Sequence, residues 1–83
     1  MARGTIRYWA AAKEAAGVPE EPFEAANLAE LVVNVTTGRD ELAKVARRSS
    51  FLVDGHPVGT RAHEAIVLAD GVTVEVLPPF AGG

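Results

Sequence analysis

The sequence predicts an α+β domain, a mixed β-sheet packed on one main helix. Three observations point there. Leu28, Leu31, Val32 and Val35 recur at i, i+3, i+4 and i+7, the stripe of an amphipathic helix. Val72, Val74 and Val76 alternate with Thr73 and Glu75, as in a strand with one buried face. Asp54-Gly55 and Asp70-Gly71 interrupt apolar runs with a dipeptide that favours tight turns.

The elements follow in order. Thr5-Ile6-Arg7-Tyr8-Trp9 is β-branched and aromatic and suits a first strand. Ala10 to Ala16 is alanine-rich and ends at Gly17, the profile of one or two helical turns closed by a glycine cap. Pro19 to Pro22 break any continuation, and Phe23-Glu24-Ala25 predicts a short strand, at an edge because of Pro22. Asn27 ahead of the main helix and Glu30 three residues on form a candidate capping box, with Gly38 as the stop.

Asp40 to Arg48 predicts a further helix. Leu42, Val45 and Ala46 share one face, acids lie at its start, and Lys44, Arg47 and Arg48 lie toward its end, matching the helix dipole. Arg47-Arg48 reads as a solvated helix end. Phe51-Leu52-Val53, Asp54-Gly55 and His56-Pro57-Val58 read as strand, type I′ turn and short or edge return strand. A loop containing His63 leads through Ile66-Val67-Leu68 to Asp70-Gly71 and the last strand. If first and last strands are neighbours, Ile6, Tyr8, Val74 and Val76 join one core.

Composition narrows the function. A chain of 83 residues is one small domain with one core. A net charge of −3 argues against non-selective nucleic-acid binding, which needs a basic footprint. With no cysteine, disulfides, thiolate metal sites and a cysteine nucleophile are excluded. His56 and His63 have no partner at a metal-ligand spacing and read as loop histidines. Asp54 and Asp70 are turn residues, and Gly55-x-x-x-Gly59 lacks the Lys-Ser/Thr of a phosphate loop. The start, Met1-Ala2-Arg3-Gly4, is too polar for a signal peptide, and no apolar stretch reaches spanning length. The expectation is a cytoplasmic protein without membrane contact.

The last six residues are Pro78-Pro79-Phe80-Ala81-Gly82-Gly83. Two glycines lack any Cβ, so such an ending can thread a narrow channel. Two prolines fix φ and remove N–H donors, so the segment neither coils nor joins a ladder as a donor. Extended, it would reach roughly 20 Å at about 3.3 Å per residue. Taken alone, a diglycine ending is also what a frayed terminus looks like.

Val53-Asp54-Gly55-His56-Pro57-Val58, the turn Leu68-Ala69-Asp70-Gly71, and Val74 to Leu77 running into Pro78-Pro79-Phe80-Ala81-Gly82-Gly83 together change that weight. In order and length, nearly the whole chain resembles the ubiquitin-like β-grasp sulfur carriers of the MoaD/ThiS family. The Pro-Pro before the last four residues is most similar to the family's molybdopterin-synthase branch. The resemblance implies a β-grasp domain over residues 1–77 and a flexible diglycine tail over 78–83. It also implies that an E1-like adenylating enzyme of MoeB/ThiF type uses ATP to adenylate the Gly83 carboxylate, with Gly82 keeping the approach clear. A sulfur donor then displaces AMP and leaves a thiocarboxylate. The chemical need is plain: a carboxylate at pH 7 is anionic with a poor leaving group, and adenylation supplies a good one. On this resemblance the carrier binds no cofactor of its own. It delivers sulfur to a molybdopterin synthase large subunit, or to another sulfur-acceptor enzyme, without catalytic machinery.

Trp9, Leu77, Pro78, Pro79, Phe80 and Ala81 are the candidate partner-binding residues. Leu77 points opposite Val74 and Val76 by strand alternation. An exposed patch of Trp9, Leu77 and Phe80 would mark docking, while the alternative for Trp9 and Leu77 is a second small core beneath the loops. Three other functions stay open: a carrier for cysteine, thiamine or secondary-metabolite sulfur, a ubiquitin-like modifier joined to lysines, and a structural domain with an inert tail.

Overall fold

The computed structural model describes residues 1–79. Five strands form one mixed sheet in the order β2-β1-β5-β3-β4. Along the chain these are β1 (Ala2–Tyr8), α1 (Ala10–Ala16), β2 (Glu20–Ala25), α2 (Leu28–Thr36), α3 (Asp40–Arg47), β3 (Ser50–Val53), β4 (His56–Pro57), a single 3-10 turn (His63–Ala65) and β5 (Thr73–Leu77). This is the ubiquitin-like β-grasp, a mixed sheet wrapped on one face by its helices.

The first and last strands lie side by side and parallel, with Ile6 opposite Val74 and Tyr8 opposite Val76. All four side chains are buried. On the other flank β3 runs antiparallel to β5, so Phe51 faces Val76 and Val53 faces Val74. Leu28 and Leu31 of α2 and Leu42 of α3 close the core over these rows. Fully burying side chains of this size stabilises by about 1.5–3 kcal/mol each. Arg7, Glu75 and Leu52 share a row on the opposite face of the sheet.

Local signals hold where they are strongest. The Asn27 side chain accepts from the Glu30 N–H at 2.8 Å, and Glu30 Oε1 accepts from the Ala26 N–H at 3.0 Å. The reciprocal arm therefore reaches one residue further back than in the usual capping box. Gly17 closes α1 at φ 80°, in the left-handed region glycine tolerates best. At the hairpin, Asp54 and Gly55 take φ 48° and 81°, both positive as a type I′ turn demands. Asp54 and Asp70 both sit in turns, and their side chains tie those turns to other strands, accepting from the backbone N–H groups of Thr73 and Arg3, each at 2.9 Å.

Boundaries differ from expectation at both ends of the first strand and at the start of the second. β1 begins at Ala2, three residues before the expected Thr5. Trp9 is not the last residue of the first strand but the cap of α1, because Ala10 turns the chain abruptly with φ 49°. The second strand starts at Glu20, three residues before the expected Phe23, and runs through Pro22. Pro22 is tolerated there because β2 is outermost. Along that open edge, the Glu24 carbonyl accepts from the Asn34 side chain at 3.2 Å. The opposite edge, β4, is two residues long and includes Pro57. Both edges are thus poor templates for another strand.

Candidate functional site

β5 ends at Leu77 in the middle of the sheet, flanked by β1 and β3, and Pro78-Pro79 continue from it. Around this exit lies a groove of about 470 Å³ lined by Trp9, Ala10, Arg48, Ser50, Leu77, Pro78 and Pro79. Four of the residues singled out in the sequence therefore meet there. Phe80, Ala81, Gly82 and Gly83 lie outside the described residues.

Each wall has a local cause. The Trp9 N–H donates to the Val76 carbonyl at 3.2 Å, extending the β1–β5 pairing by one residue before the chain turns. The indole is then held from two sides. Its Nε1 donates to Glu75 Oε2 at 2.9 Å, and the Arg7 guanidinium lies 5.3 Å from the ring centroid. Arg7 itself pairs with Glu20 at 3.4 Å. Trp9 remains 42 % exposed, so it is an immobilised surface aromatic rather than part of a second core. Leu77 and Pro78 are half-buried and Pro79 is exposed. Ser50 stands opposite Leu77 in the β3–β5 register.

Arg48, Ala10 and Ser50 carry no functional signal in the sequence. There, Arg48 reads only as part of a solvated helix end. It is exposed, as expected, but β3 returns beside β5, so that same helix end borders the groove. Only the β3–β5 pairing reveals this, and no local pattern in the sequence encodes it.

Among the described residues, the groove's lining has one hydroxyl, Ser50, and neither a histidine nor a carboxylate that could act as its base. An apolar, aromatic-walled surface with one cation is suited to docking a partner. Among the described residues no group of three His, Cys, Asp or Glu side chains could hold a metal ion. The His63 ring packs edge-on against Phe51 at 5.1 Å, and His56 is exposed in β4. No helix among the described residues is long and apolar enough to cross a membrane.

The strongest electrostatic perturbation lies elsewhere, between β1, β2 and the start of α3. The Tyr8 hydroxyl donates to Glu21, and Arg39 donates to both Glu21 oxygens at 2.6 and 3.1 Å. Burial, then the hydrogen bond to Glu21, pushes the Tyr8 phenol well above its usual range. The Arg39 hydrogen bonds, with help from Tyr8 and against partial burial, hold the Glu21 carboxyl below the usual carboxylate range. Every member is satisfied and none lines the groove, so this is a clamp that ties two strands to the helical layer.

Comparison with known proteins agrees with this architecture. The ThiS family profile matches residues 6–83. The molybdopterin synthase sulfur carrier subunit of Chlamydomonas reinhardtii is 31% identical over 81 residues, covering 94% of this chain and 95% of that one. Small archaeal modifier protein 1 of Methanosarcina acetivorans superposes with a TM-score of 0.86 at 23% identity, over 100% and 98% of the two chains. In a complex of subunits 1 and 2 of the molybdopterin-converting factor from Helicobacter pylori, a matching chain gives a TM-score of 0.72 at 21% identity, over 98% and 99%. The two structural likenesses speak to the fold. The profile and the near end-to-end relative go further, and on them the chain belongs to the ThiS family, which includes the MoaD-type proteins.

Proposed function

We propose that this chain is a sulfur carrier for molybdopterin synthesis, bearing its sulfur as a thiocarboxylate on Gly83. The observation that carries the reading is the end-to-end match to a relative whose name is molybdopterin synthase sulfur carrier subunit. The groove at the exit of β5 supports it, because a protein that takes up the tail meets an apolar, aromatic-walled surface at the tail's base.

The chemistry takes two displacements. An E1-like adenylating enzyme brings ATP to the Gly83 carboxylate. A carboxylate oxygen attacks the α-phosphorus, pyrophosphate leaves, and an acyl-adenylate forms. A sulfur nucleophile at the sulfide level then attacks the acyl carbon, AMP leaves with the C–O bond electrons, and the thiocarboxylate remains. Gly82 and Gly83 present no side chain to either site. Trp9, Leu77, Pro78, Pro79, Phe80 and Ala81 dock the partner. The acceptor is a large subunit of the kind paired with subunit 1 in the Helicobacter pylori complex. The carrier holds no cofactor, works in the cytoplasm and leaves catalysis to its partners.

The test is intact mass spectrometry after incubation with an E1-like activating enzyme, ATP and sulfide. The expected result is a gain equal to replacing one oxygen by sulfur, mapped to Gly83. No gain from an enzyme competent on another carrier overturns the reading. Lysine conjugates in a cell lysate would point to a protein modifier instead.

A further inference from the structure

We propose that Arg48 sets partner selectivity at the groove, and that the activating enzyme seats there an apolar side chain flanked by a carboxylate. The inference rests on the sulfur-carrier reading and names the chemistry of its first partner.

Among the described residues, Arg48 is the only charged side chain lining the groove. Of the neighbouring charges, Arg7 pairs with Glu20, while Glu75 is oriented toward the edge of the Trp9 indole, from which it accepts a hydrogen bond, and does not pair with Arg48. Among the described residues, Arg48 makes no ion pair and no side-chain hydrogen bond. Alone in water that is no penalty. A partner seated on Trp9, Leu77 and Pro78 would strip water from the guanidinium as well. A cation covered without a counter-charge is costly, whereas a carboxylate placed opposite it forms a charge-assisted, often bidentate pair. An uncharged or basic surface of the same shape is therefore rejected. The carrier's net charge of −3 attracts basic surfaces in general. Arg48 imposes a local demand of opposite sign, and so fixes which part of the enzyme lies at the base of the tail. Arg47, the adjacent cation, lines a different hollow with Val32, Phe51 and His63.

The experiment is steady-state thiocarboxylation by an E1-like activating enzyme with ATP and sulfide, varying the carrier. R48E should raise KM about tenfold while kcat stays within about twofold, the mark of an interaction that serves docking rather than chemistry. R48K should restore much of the affinity. R47E, with the same change in net charge, should keep the wild-type KM. Added salt should raise the wild-type KM and lower that of R48E, because it screens an attraction in the first and a repulsion in the second. Unfolding midpoints of all variants confirm that each is folded. Turnover of R48E with wild-type KM overturns the proposal and leaves the carrier reading standing. Equal effects of R47E and R48E also overturn it, because a long-range field would then suffice. No turnover of the wild type removes both.

Discussion

Gly4 is where the register of the central strands is most exposed to a single methyl group. A Cβ built there meets Phe23 Cζ at 2.9 Å and Cε2 at 3.0 Å, and the Val72 carbonyl oxygen closer still. Phe23 is buried in the core and has little room to swing. The Val72 carbonyl is held by the Thr5 N–H at 3.0 Å, and Gly71 N–H is tied to the Arg3 carbonyl at 2.8 Å. Relief in Gly4→Ala requires β1 to separate from the turn that feeds β5. Overpacking costs roughly 1–3 kcal/mol and the strained hydrogen bond about 1 more, offset by roughly 0.4–1 from the stiffer unfolded chain. The net is about 2–3 kcal/mol, a large part of the stability of so small a domain. At about 4–8 °C per kcal/mol, the unfolding midpoint should fall by roughly 10–20 °C. Circular dichroism melting reads this directly. Gly55→Ala is the comparison: its φ of 81° is left-handed but nothing stands within 4 Å of the added methyl, so the cost should be only about 1 kcal/mol. A Gly4→Ala midpoint within about 2 °C of wild type, or one above that of Gly55→Ala, would refute the packing argument.

Other outcomes follow from the same structure. Gly83→Val should abolish thiocarboxylation and leave the melting midpoint nearly unchanged, since the β-branched side chain obstructs the activating site and not the core; a variant that unfolds would contradict this. Phe80→Ser should weaken the complex with the sulfur acceptor, measured by calorimetry, without unfolding the domain, and unchanged affinity would remove Phe80 from the interface. Glu21→Gln should lower stability by about 1 kcal/mol at pH 7. Because Glu21 titrates below its unfolded value, its contribution is full above the usual Glu range and disappears as pH falls through the lower folded value. The gap between wild type and Glu21→Gln should therefore close on acidification, and a gap that persists would show that the clamp does not depend on charge.

The parts of the fold legible in the sequence are those that a few adjacent residues decide. The α2 stripe, the Asn27 cap, the Gly17 stop and the Asp54-Gly55 turn each draw on interactions within a handful of positions. The β1–β5 pairing is legible for a different reason. Two β-rich runs flanking one amphipathic helix have few ways to share it, and Ile6, Tyr8, Val74 and Val76 are buried as expected. What stays hidden depends on distant chain. Pro19 to Pro22 read as a breaker, yet pairing with β1 draws Glu20 and Pro22 into a strand. Gly4 carries no structural signal of its own in the sequence, and its reason, the Val72 carbonyl, lies far along the chain. Arg48 reads as a solvated helix end and becomes a wall of the groove only because β3 returns beside β5. Half of the candidate site, the motif-bearing side chains, is therefore visible in the sequence. The other half is contributed by topology.

The point at which the chain leaves the sheet follows from the same topology. β5 is held on both sides, by β1 up to Tyr8–Val76 and by β3 up to Ser50–Leu77, so the chain is fixed to its last paired residue. Threading residues into a partner costs roughly 1–2 kcal/mol of backbone entropy for each one ordered. Had the sheet ended earlier, more residues would have to be ordered on every encounter. With the sheet running to Leu77, no residue up to that point adds to the cost, and Pro78 and Pro79 add little because their φ is already fixed. On the proposed function, Gly82 and Gly83 are needed for access, and glycine is the residue type that loses most backbone freedom on ordering. Burial of apolar surface on Trp9, Leu77 and Pro78 is positioned to offset that loss at the foot of the tail. Under the proposed carrier function, the groove and the prolines serve one end: they give the chain leaving β5 a defined direction toward the partner.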